Sequence, residues 1–365
     1  MTSSVGGGSP APSIEALDWL RGEPLSNFQL GKIHILEFFS TICKPCGPAL
    51  AHLAQLQEQY RDVGIEVIGI AANEQAATAD DARAQLDAWL TRLPHSKIRI
   101  AFDSSGNKHW MDASLSFHVP QAFVVDRDGS IAFIGGPDAL EDVLPKVIDG
   151  SWRARVEAKN AEKERIAEGE IDAMENALHR RIRAATDIED WKSALSVIAE
   201  GINLFPDRIS LRQSQVSTLI GEMRDMESGL IALAQFARDA IERNSEDWLL
   251  AAMEELFGPH HDYSELPFAE RLSLSKELSE RILILCAQQD ALSRAQSYQT
   301  IAHYYNESGD NGMAVGLIEL ALNLVDGGPL PDEVKQEWLA HLLRVLTEYK
   351  GEAACYGGIC MPPPK

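Results

Sequence analysis

Two cysteines three residues apart, Cys43 and Cys46, are the residues of this 365-residue sequence whose spacing points most directly to chemistry. A Cys-x-x-Cys pair can supply half of a zinc site or act as a redox dithiol. Zinc needs about four ligands, and the other close pair, Cys355 and Cys360, is far away and differently spaced. The context favours the redox dithiol, because Cys43 follows an apolar run over residues 33–39 and is predicted to open a helix.

The predicted helix start indicates how the two thiols would divide the reaction. Free N–H groups and the positive end of the helix dipole stabilise a thiolate, which lowers the pKa of a thiol placed there. Cys43 is therefore predicted to be the exposed attacking thiol. Cys46, one helical turn later, is predicted to attack the resulting mixed disulfide and release the substrate.

The second cysteine pair lies near the end of the sequence, in Cys355-Tyr356-Gly357-Gly358-Ile359-Cys360-Met361. Four interpretations stay open: a small disulfide ring, a copper(I) site that includes the Met361 thioether, thiols that the tail delivers to Cys43, and a disordered end without a role. Cys355 and Cys360 are carried forward as a possible accessory redox pair.

Two longer motifs surround the dithiol, EFFSTICKPCGP over residues 37–48 and FHVPQAFVVDRDG over residues 117–129. With these motifs, residues 33–148 resemble a thioredoxin-fold domain, closest to the TlpA/ResA-like thiol–disulfide oxidoreductases. Residues 73–100 lie where that subfamily carries an insert. The resemblance covers about a third of the chain and implies thiol–disulfide exchange without a cofactor or a metal ion.

The resemblance also implies roles for residues around the dithiol. Pro120 matches the cis proline that lies beside the dithiol in this fold, and Val119 offers backbone groups that dock a substrate strand; an ordinary trans loop proline is the alternative. Glu37 matches a buried acid six residues before the first cysteine. Burial would raise the pKa of its carboxyl group, so that it can move the proton of Cys46. A strand carboxylate that reaches solvent is the alternative for Glu37.

Four positions near the dithiol concern substrate recognition. Lys44 and Pro45, between the cysteines, are expected to tune the reduction potential and to contact the substrate. The aromatic residue usual before the first cysteine is Ile42 here, and the acidic residue that ResA-like proteins often place six after it is Ala49. We therefore expect substrate recognition to differ from that of the cytochrome-maturation enzymes.

The elements that would position these residues alternate between strands and helices. Apolar runs and turn signals predict strands over 33–39, 65–70, 97–102, 121–125 and 131–133, and helices over 43–61, 73–93 and 138–148. A βαβ start followed by a hairpin and a helix predicts an α/β thioredoxin-like N-terminal domain.

The remaining sequence predicts an all-α C-terminal domain of irregular helical-hairpin repeats. We expect a flexible leader over 1–12, the TlpA-type domain over 13–150, a linker helix over 151–188, helical repeats over 189–350 and a flexible cysteine-containing tail over 351–365. Residues 302–322 resemble a tetratricopeptide repeat, and a plain helical bundle is the alternative. Apolar residues of the linker helix fall at mostly helical spacing, so we expect it to pack along one side: Val156, Ile166, Ile171, Met174, Leu178 and Ile182.

Composition excludes several classes of protein. Against 33 Lys and Arg stand 55 Asp and Glu, a net charge of −22, which disfavours binding to nucleic acid or to anionic membranes. Five cysteines are too few for a disulfide-built secreted scaffold. The first residues show no basic and apolar pattern of a signal peptide. We therefore expect a cytoplasmic location, although members of the resembled family are often periplasmic.

The sequence thus predicts a thiol–disulfide oxidoreductase, and a reducing cytosol favours net reduction of protein disulfides. The expected partners are protein disulfide substrates, a thiol reductant that donates electrons, and a protein partner or second copy bound by the helical domain. Two alternatives remain at this point. One is a redox-sensing scaffold in which the helical domain carries the main role, and the other is handling of copper or another soft metal by the cysteines.

Overall fold

The computed structural model describes residues 5–15, 17–72, 74, 79–92, 98–103, 109–258, 265–356 and 359–362. The chain divides into two compact units, Met1–Ala177 and Leu178–Lys365. We call them the α/β unit and the helical unit, and each is described by itself. The division falls within the predicted linker helix, and the predicted domain boundaries remain predictions.

A six-stranded mixed sheet forms the centre of the α/β unit. Its strands are β1 (Asp18–Arg21), β2 (Ile33–Phe39), β3 (Ile65–Ala71), β4 (Arg99–Phe102), β5 (Gln121–Val125) and β6 (Ile131–Gly135). Their order is β1-β4-β3-β2-β5-β6. β2 is parallel to β3 and antiparallel to β5, and all seven of its residues are buried. A strand covered on both faces needs apolar residues throughout, which explains the continuous apolar run.

Four helices complete this part of the chain: α1 (Cys46–Gln59), α2 (Ala79–Leu90), α3 (Leu140–Ile148) and α4 (Val156–Thr186). Leu50, Leu53 and Leu56 are buried on one face of α1, as their spacing predicts. They join a core on one face of the sheet with Ile35 and Phe39, while Leu36 and Phe38 belong to a second core on the other face.

Two elements, α1 and β1, differ from the sequence-based prediction, and a third lies partly outside the described residues. α1 begins at Cys46 and not at Cys43, because the first helical bond runs from the Ala49 N–H to the Pro45 carbonyl. The described part of the second helix covers Ala79–Leu90, and residues 73, 75–78 and 93 lie outside the described residues. β1 was not predicted, because its sequence DWLR lacks an alternating apolar pattern.

Residues 5–11 lie along the start of β6, although their Gly- and Ser-rich composition predicted a flexible leader. The Gly8 N–H donates to the Ile131 carbonyl over 2.7 Å, and the Ile131 N–H donates to the Ser9 carbonyl over 2.8 Å. Val5 is buried against the sheet core. Gly8 has a φ of 87°, a conformation that glycine adopts without steric cost. The glycine-rich composition of this segment therefore allows a bend and does not indicate disorder.

In the described part of the helical unit, eight α-helices follow the last turns of α4. They are α5 (Trp191–Leu204), α6 (Ile209–Ser217), α7 (Met226–Arg243), α8 (Glu246–Phe257), α9 (Phe268–Leu285), α10 (Ala291–Glu307), α11 (Asn311–Gly327) and α12 (Asp332–Lys350). Several begin with an aspartate whose carboxylate accepts a backbone N–H of the first turn: Asp190, Asp225, Asp290 and Asp310. Such caps satisfy N–H groups that have no partner within the helix. The tetratricopeptide-like assignment stays a prediction.

The helical unit ends in a short hairpin where the sequence predicted a flexible tail. β7 (Ala354–Tyr356) pairs antiparallel with β8 (Ile359–Met361). Ala354 is buried, and Tyr356 and Met361 pack against the helical core, so apolar side chains on one face of the hairpin hold it in place. Cys286 is buried in the turn after α9.

Candidate active site

The two cysteines of the Cys-x-x-Cys motif form a disulfide at the N-terminus of α1. Their sulfur atoms are 2.12 Å apart and their Cα atoms are 5.4 Å apart. Cys46 is the first helical residue and is fully buried, whereas Cys43 lies in the preceding turn and is half-buried. Solvent therefore reaches Cys43 and not Cys46.

The bond between Val119 and Pro120 is cis, as the resemblance implies. It lies directly beside the dithiol, because the Cys43 Sγ is 3.7 Å from the carbonyl oxygen of Val119. Val119 and Pro120 are both half-buried. The structure thus brings these two predicted residues next to the reachable sulfur, where backbone groups are available to a bound chain.

Glu37 is fully buried in the middle of β2. It pairs with Gly69 of β3 and Ala122 of β5. It lies on the same face of β2 as Ile35 and Phe39, so it faces the core that contains Cys46. Neither carboxylate oxygen has a hydrogen-bond partner among the described residues. Burial raises the pKa of the Glu37 carboxyl group to about 8, since the charged form is disfavoured away from water.

The space around Glu37 depends on the glycine opposite it. A Cβ atom on Gly69 would lie 2.8 Å from Ile100 Cδ1 and 3.0 Å from Leu50 Cδ2. Leu50 lies on α1, one turn after Cys46. Glycine at position 69 thus lets α1 pack closely on the sheet beside Glu37.

A carboxylate that the sequence analysis did not single out holds the loop before the dithiol. The Thr41 N–H donates to Glu74 Oε1 over 2.9 Å, and the Thr41 hydroxyl donates to Glu74 Oε2. Thr41 lies two residues before Cys43, so this pair of bonds fixes the approach to the reactive cysteine. No sequence motif marks Glu74, because the contact joins residues 33 positions apart.

Exposed side chains surround the reachable sulfur. Lys44 and Pro45 are exposed between the cysteines, and Ile42 is 59 % exposed just before them. An apolar side chain left in water next to a reactive group is available to contact a substrate. The structure therefore places Lys44 and Pro45 at the rim of the site and adds Ile42 to them.

Helix α4 supports the loop that leads to the cis bond. Gly169 lies so close to this loop that a Cβ atom on it would be 2.4 Å from the Leu115 carbonyl oxygen. Arg165 donates a hydrogen bond to the Ser114 carbonyl, and His118 Nε2 lies 3.3 Å from a carboxylate oxygen of Asp172. These contacts, which sequence reasoning missed, hold the residues just before Val119 and Pro120. A glycine inside a charged helix was the available signal.

The second cysteine pair forms a disulfide across the terminal hairpin. Cys355 of β7 lies opposite Cys360 of β8, with the sulfur atoms 2.08 Å apart. Met361, the third proposed copper ligand, packs toward the helical core, while both cysteines are exposed. The hairpin therefore does not bring the three soft ligands together. Among the described residues, no three His, Cys, Asp or Glu side chains are grouped to hold a metal ion.

Comparison with known proteins places this site in a family. A sequence model of the AhpC/TSA family matches residues 8–134. Protein FixW of Rhizobium leguminosarum is 54% identical over 217 residues, which cover 59% of this chain and 98% of FixW. Thiol:disulfide interchange protein HelX of Rhodobacter capsulatus is 30% identical over 149 residues, 40% of this chain and 77% of HelX. The chain belongs to the thioredoxin-like thiol–disulfide oxidoreductase family.

Two further proteins are similar to part of this chain. Thiol-disulfide oxidoreductase ResA of Bacillus cereus is 29% identical over 145 residues, 38% of this chain and 78% of ResA. Among solved structures, the thioredoxin domain of a thiol-disulfide oxidoreductase from Bacteroides vulgatus covers 40% of this chain and 99% of its own, with 19% identity and a TM-score of 0.31. The predicted α/β thioredoxin-like fold followed by many helices is confirmed. No helix in the described ranges is both long and apolar enough to cross a bilayer.

Proposed function

We propose that this oxidoreductase reduces disulfides of protein substrates through Cys43 and Cys46. The observation that supports this most strongly is the unequal accessibility of the two sulfurs. Cys43 is half-buried beside the Val119 carbonyl, and Cys46 is fully buried behind it. An accessible attacking thiol next to an inaccessible resolving thiol is the arrangement that two-step thiol–disulfide exchange needs.

In the first step, the Cys43 thiolate attacks a substrate disulfide and forms a mixed disulfide, and the departing substrate sulfur takes a proton. The Cys43 thiolate lies just before the first turn of α1, where N–H groups and the helix dipole favour negative charge. A substrate strand docks on the backbone of Val119 and Pro120. In the second step, Cys46 attacks the Cys43 sulfur, which releases the reduced substrate and leaves the Cys43–Cys46 disulfide.

Glu37 serves as the proton acceptor for the resolving cysteine. Its pKa of about 8 means that it can hold and release a proton close to neutral pH, which suits general acid–base catalysis. Cys46 and Glu37 face the same buried core. We expect Glu37→Gln to slow turnover about 10²-fold, the usual scale of such a contribution, while the initial attack by Cys43 persists.

Insulin reduction coupled to dithiothreitol tests this function. We expect the wild-type chain to accelerate insulin reduction and the Cys43→Ser variant to lose the acceleration; equal rates for the two proteins would overturn the proposal. Cys46→Ser should leave substrates covalently attached to Cys43, because the resolving step is missing. Mass spectrometry of these complexes would identify the physiological substrates and the thiol reductant that donates electrons.

The helical unit is proposed to recruit a protein partner or a second copy of the chain. It has its own core and paired helices, whose grooves are typical binding surfaces. Light scattering of the wild-type chain tests self-association. A partner bound equally well by wild type and by Cys43→Ser/Cys46→Ser would favour the alternative function of a scaffold, in which the dithiol is a sensor.

The cytoplasm is the proposed compartment, because a reducing environment keeps Cys43 and Cys46 as a dithiol that is ready to reduce substrates. Alkylation of the thiols in intact cells tests this. We expect the pair to be found mainly reduced, in a cytoplasmic fraction. A pair found oxidised in a periplasmic fraction would indicate the opposite compartment and an oxidising role.

A further inference from the structure

The terminal hairpin displays a disulfide that the proposed active site does not use. Cys355 and Cys360 lie directly opposite each other on β7 and β8, with Cα atoms 4.1 Å apart. Both are exposed, whereas Cys46 of the active-site pair is fully buried. A thiolate on another molecule can therefore approach the hairpin sulfurs.

Contacts other than the disulfide hold the hairpin on the helical unit. Ala354 is buried, and the Tyr356 hydroxyl donates to Asn323 Oδ1 over 2.7 Å. Tyr356 and Met361 pack against the helical core. Because side chains alternate along a strand, these residues face the helices while Cys355 and Cys360 face solvent. The disulfide thus adds no side chain to the core, which argues against packing as its main purpose.

Exposed disulfides have more oxidising potentials and are the labile, regulatory or catalytic ones. We propose that Cys355–Cys360 is a second redox-active site, which accepts electrons from the reduced Cys43–Cys46 pair of a second copy of this chain. This rests on the proposed function, because it requires a dithiol that attacks exposed protein disulfides. The hairpin would then store reducing equivalents on the chain's own surface.

The exchange balances without any other oxidant or reductant. The Cys43 thiol releases its proton to solvent, and the thiolate attacks one hairpin sulfur. An intermolecular disulfide forms while the hairpin S–S bond breaks, and the departing thiolate takes a proton from solvent. Cys46 loses its proton and attacks the Cys43 sulfur. This closes the Cys43–Cys46 disulfide and releases the second hairpin cysteine, which is protonated in turn. Two electrons and two protons have moved from one cysteine pair to the other.

Mixing two full-length variants tests the exchange. Cys43→Ser/Cys46→Ser is prepared with an oxidised hairpin, and Cys355→Ser/Cys360→Ser is reduced at Cys43 and Cys46 and freed of reductant. Samples quenched with acid are alkylated, and peptide mass spectrometry reports the state of each pair. We expect hairpin thiols to appear together with the Cys43–Cys46 disulfide. Their rate of appearance should be at least tenfold higher than when glutathione, at equal thiol concentration, replaces the reduced chain. A rate equal to that of glutathione would overturn the inference.

Two controls separate the possible failures. A reduced Cys46→Ser/Cys355→Ser/Cys360→Ser chain should stop at the intermolecular disulfide, so a peptide pair joining Cys43 to Cys355 or Cys360 is expected. The Cys355→Ser/Cys360→Ser chain is also assayed with insulin. Insulin reduction without hairpin reduction would refute this inference and leave the proposed function standing. No reduction of insulin by this chain or by wild type would refute both. Circular dichroism verifies that each variant is folded.

Discussion

The buried carboxyl group of Glu37 connects catalysis with stability at the scale of a single residue. It lies in the core that also contains Cys46, and its oxygens lack hydrogen-bond partners among the described residues. A group in this position is kept neutral by the fold, and ionising it costs free energy. The proposed role of Glu37 as a proton acceptor therefore comes with a core that is less stable at high pH.

Stability should fall with pH because of Glu37. The pKa of its carboxyl group is about 8 in the folded chain and 4.5 ordinarily, so the folded chain retains a proton that the unfolded chain releases. The resulting stabilisation is complete below pH 4.5 and is lost as pH rises through 8, by at most about 1.4 kcal/mol per pH unit. Urea unfolding at pH 5, 7 and 9 measures this.

Glu37→Gln should remove this dependence and make the chain more stable than wild type at pH 9. Glu168→Gln, at an exposed position on α4, is the matched control and should follow the wild-type profile. A wild-type stability profile that matches Glu37→Gln at all three pH values would contradict the assigned environment of Glu37.

Ile42 should contribute to the binding of protein substrates and not to the thiol chemistry. It is 59 % exposed beside Cys43, so Ile42→Ser removes an apolar contact without opening a cavity. We expect KM for insulin to rise about threefold to tenfold, since burying such a side chain contributes roughly 1 kcal/mol or more. The rate with a small disulfide such as hydroxyethyl disulfide should not change. Ile188→Ser, 74 % exposed in the helical unit, is the control, and an equal effect from it would refute this role.

At the scale of elements, helix α4 contacts the loop before Val119 through residues other than its predicted apolar ones. Ile166, Ile171 and Met174 are 38, 43 and 52 % exposed. The contacts to the loop before Val119 come instead from Arg165 and Gly169. The predicted burial is therefore wrong for Ile166, Ile171 and Met174 and is confirmed for Leu178. Hydrophobic periodicity considers only apolar residues. The contact here is made by Gly169, which has no side chain, and by the charged Arg165.

The close approach at Gly169 predicts opposite effects for two glycine substitutions. Gly169→Ala would place a Cβ atom 2.4 Å from the Leu115 carbonyl oxygen, so we expect a loss of about 1–3 kcal/mol and slower insulin reduction. At Gly316 on α11, a Cβ atom meets nothing within 4 Å, so Gly316→Ala should stabilise by up to about 1 kcal/mol. Thermal unfolding of both variants measures the effects. Stabilisation by both would show that α4 does not press on this loop.

Local patterns predicted the elements near the dithiol well and the long-range contacts poorly. The run over 33–39 and the turn over 126–129 were recognised, because burial and turn chemistry leave a local signature. The start of α1 was predicted three residues too early. Cys43 lies in a turn, and the first helical hydrogen bond is accepted by the carbonyl of Pro45. The bonds from Thr41 to Glu74 have no local signature at all.

At the scale of the whole molecule, each unit contains its own hydrophobic core. In the helical unit, Phe236 is fully buried and its ring lies 5.7 Å from that of Trp248. Phe236→Ala should destabilise this unit by roughly 3–5 kcal/mol, seen as loss of helical dichroism at a lower temperature. Insulin reduction at 25 °C should persist, because the proposed chemistry lies in the other unit; a parallel loss of activity would contradict this.

Composition and motifs were sufficient to identify the family of the first unit but not the architecture of the chain's two ends. Residues 1–12 and 351–365 were both expected to be flexible, but the described residues 5–11, 354–356 and 359–361 are ordered. Their order comes from contacts with distant residues, such as those of Ser9 with Ile131 and of Tyr356 with Asn323. Such pairings depend on the finished fold, which single-sequence patterns do not contain.

The placement of residues 8–11 has a consequence for association between molecules. β6 is the outermost strand of the sheet, and unpaired edges invite strands from other chains. Gly8 and Ser9 form hydrogen bonds with the backbone N–H and carbonyl of Ile131. The Trp152 indole N–H donates to the Ala132 carbonyl over 3.0 Å. These contacts cover the start of the edge strand. Cleavage or a bulky tag that displaces this segment would expose the start of the edge and favour sheet-to-sheet aggregation.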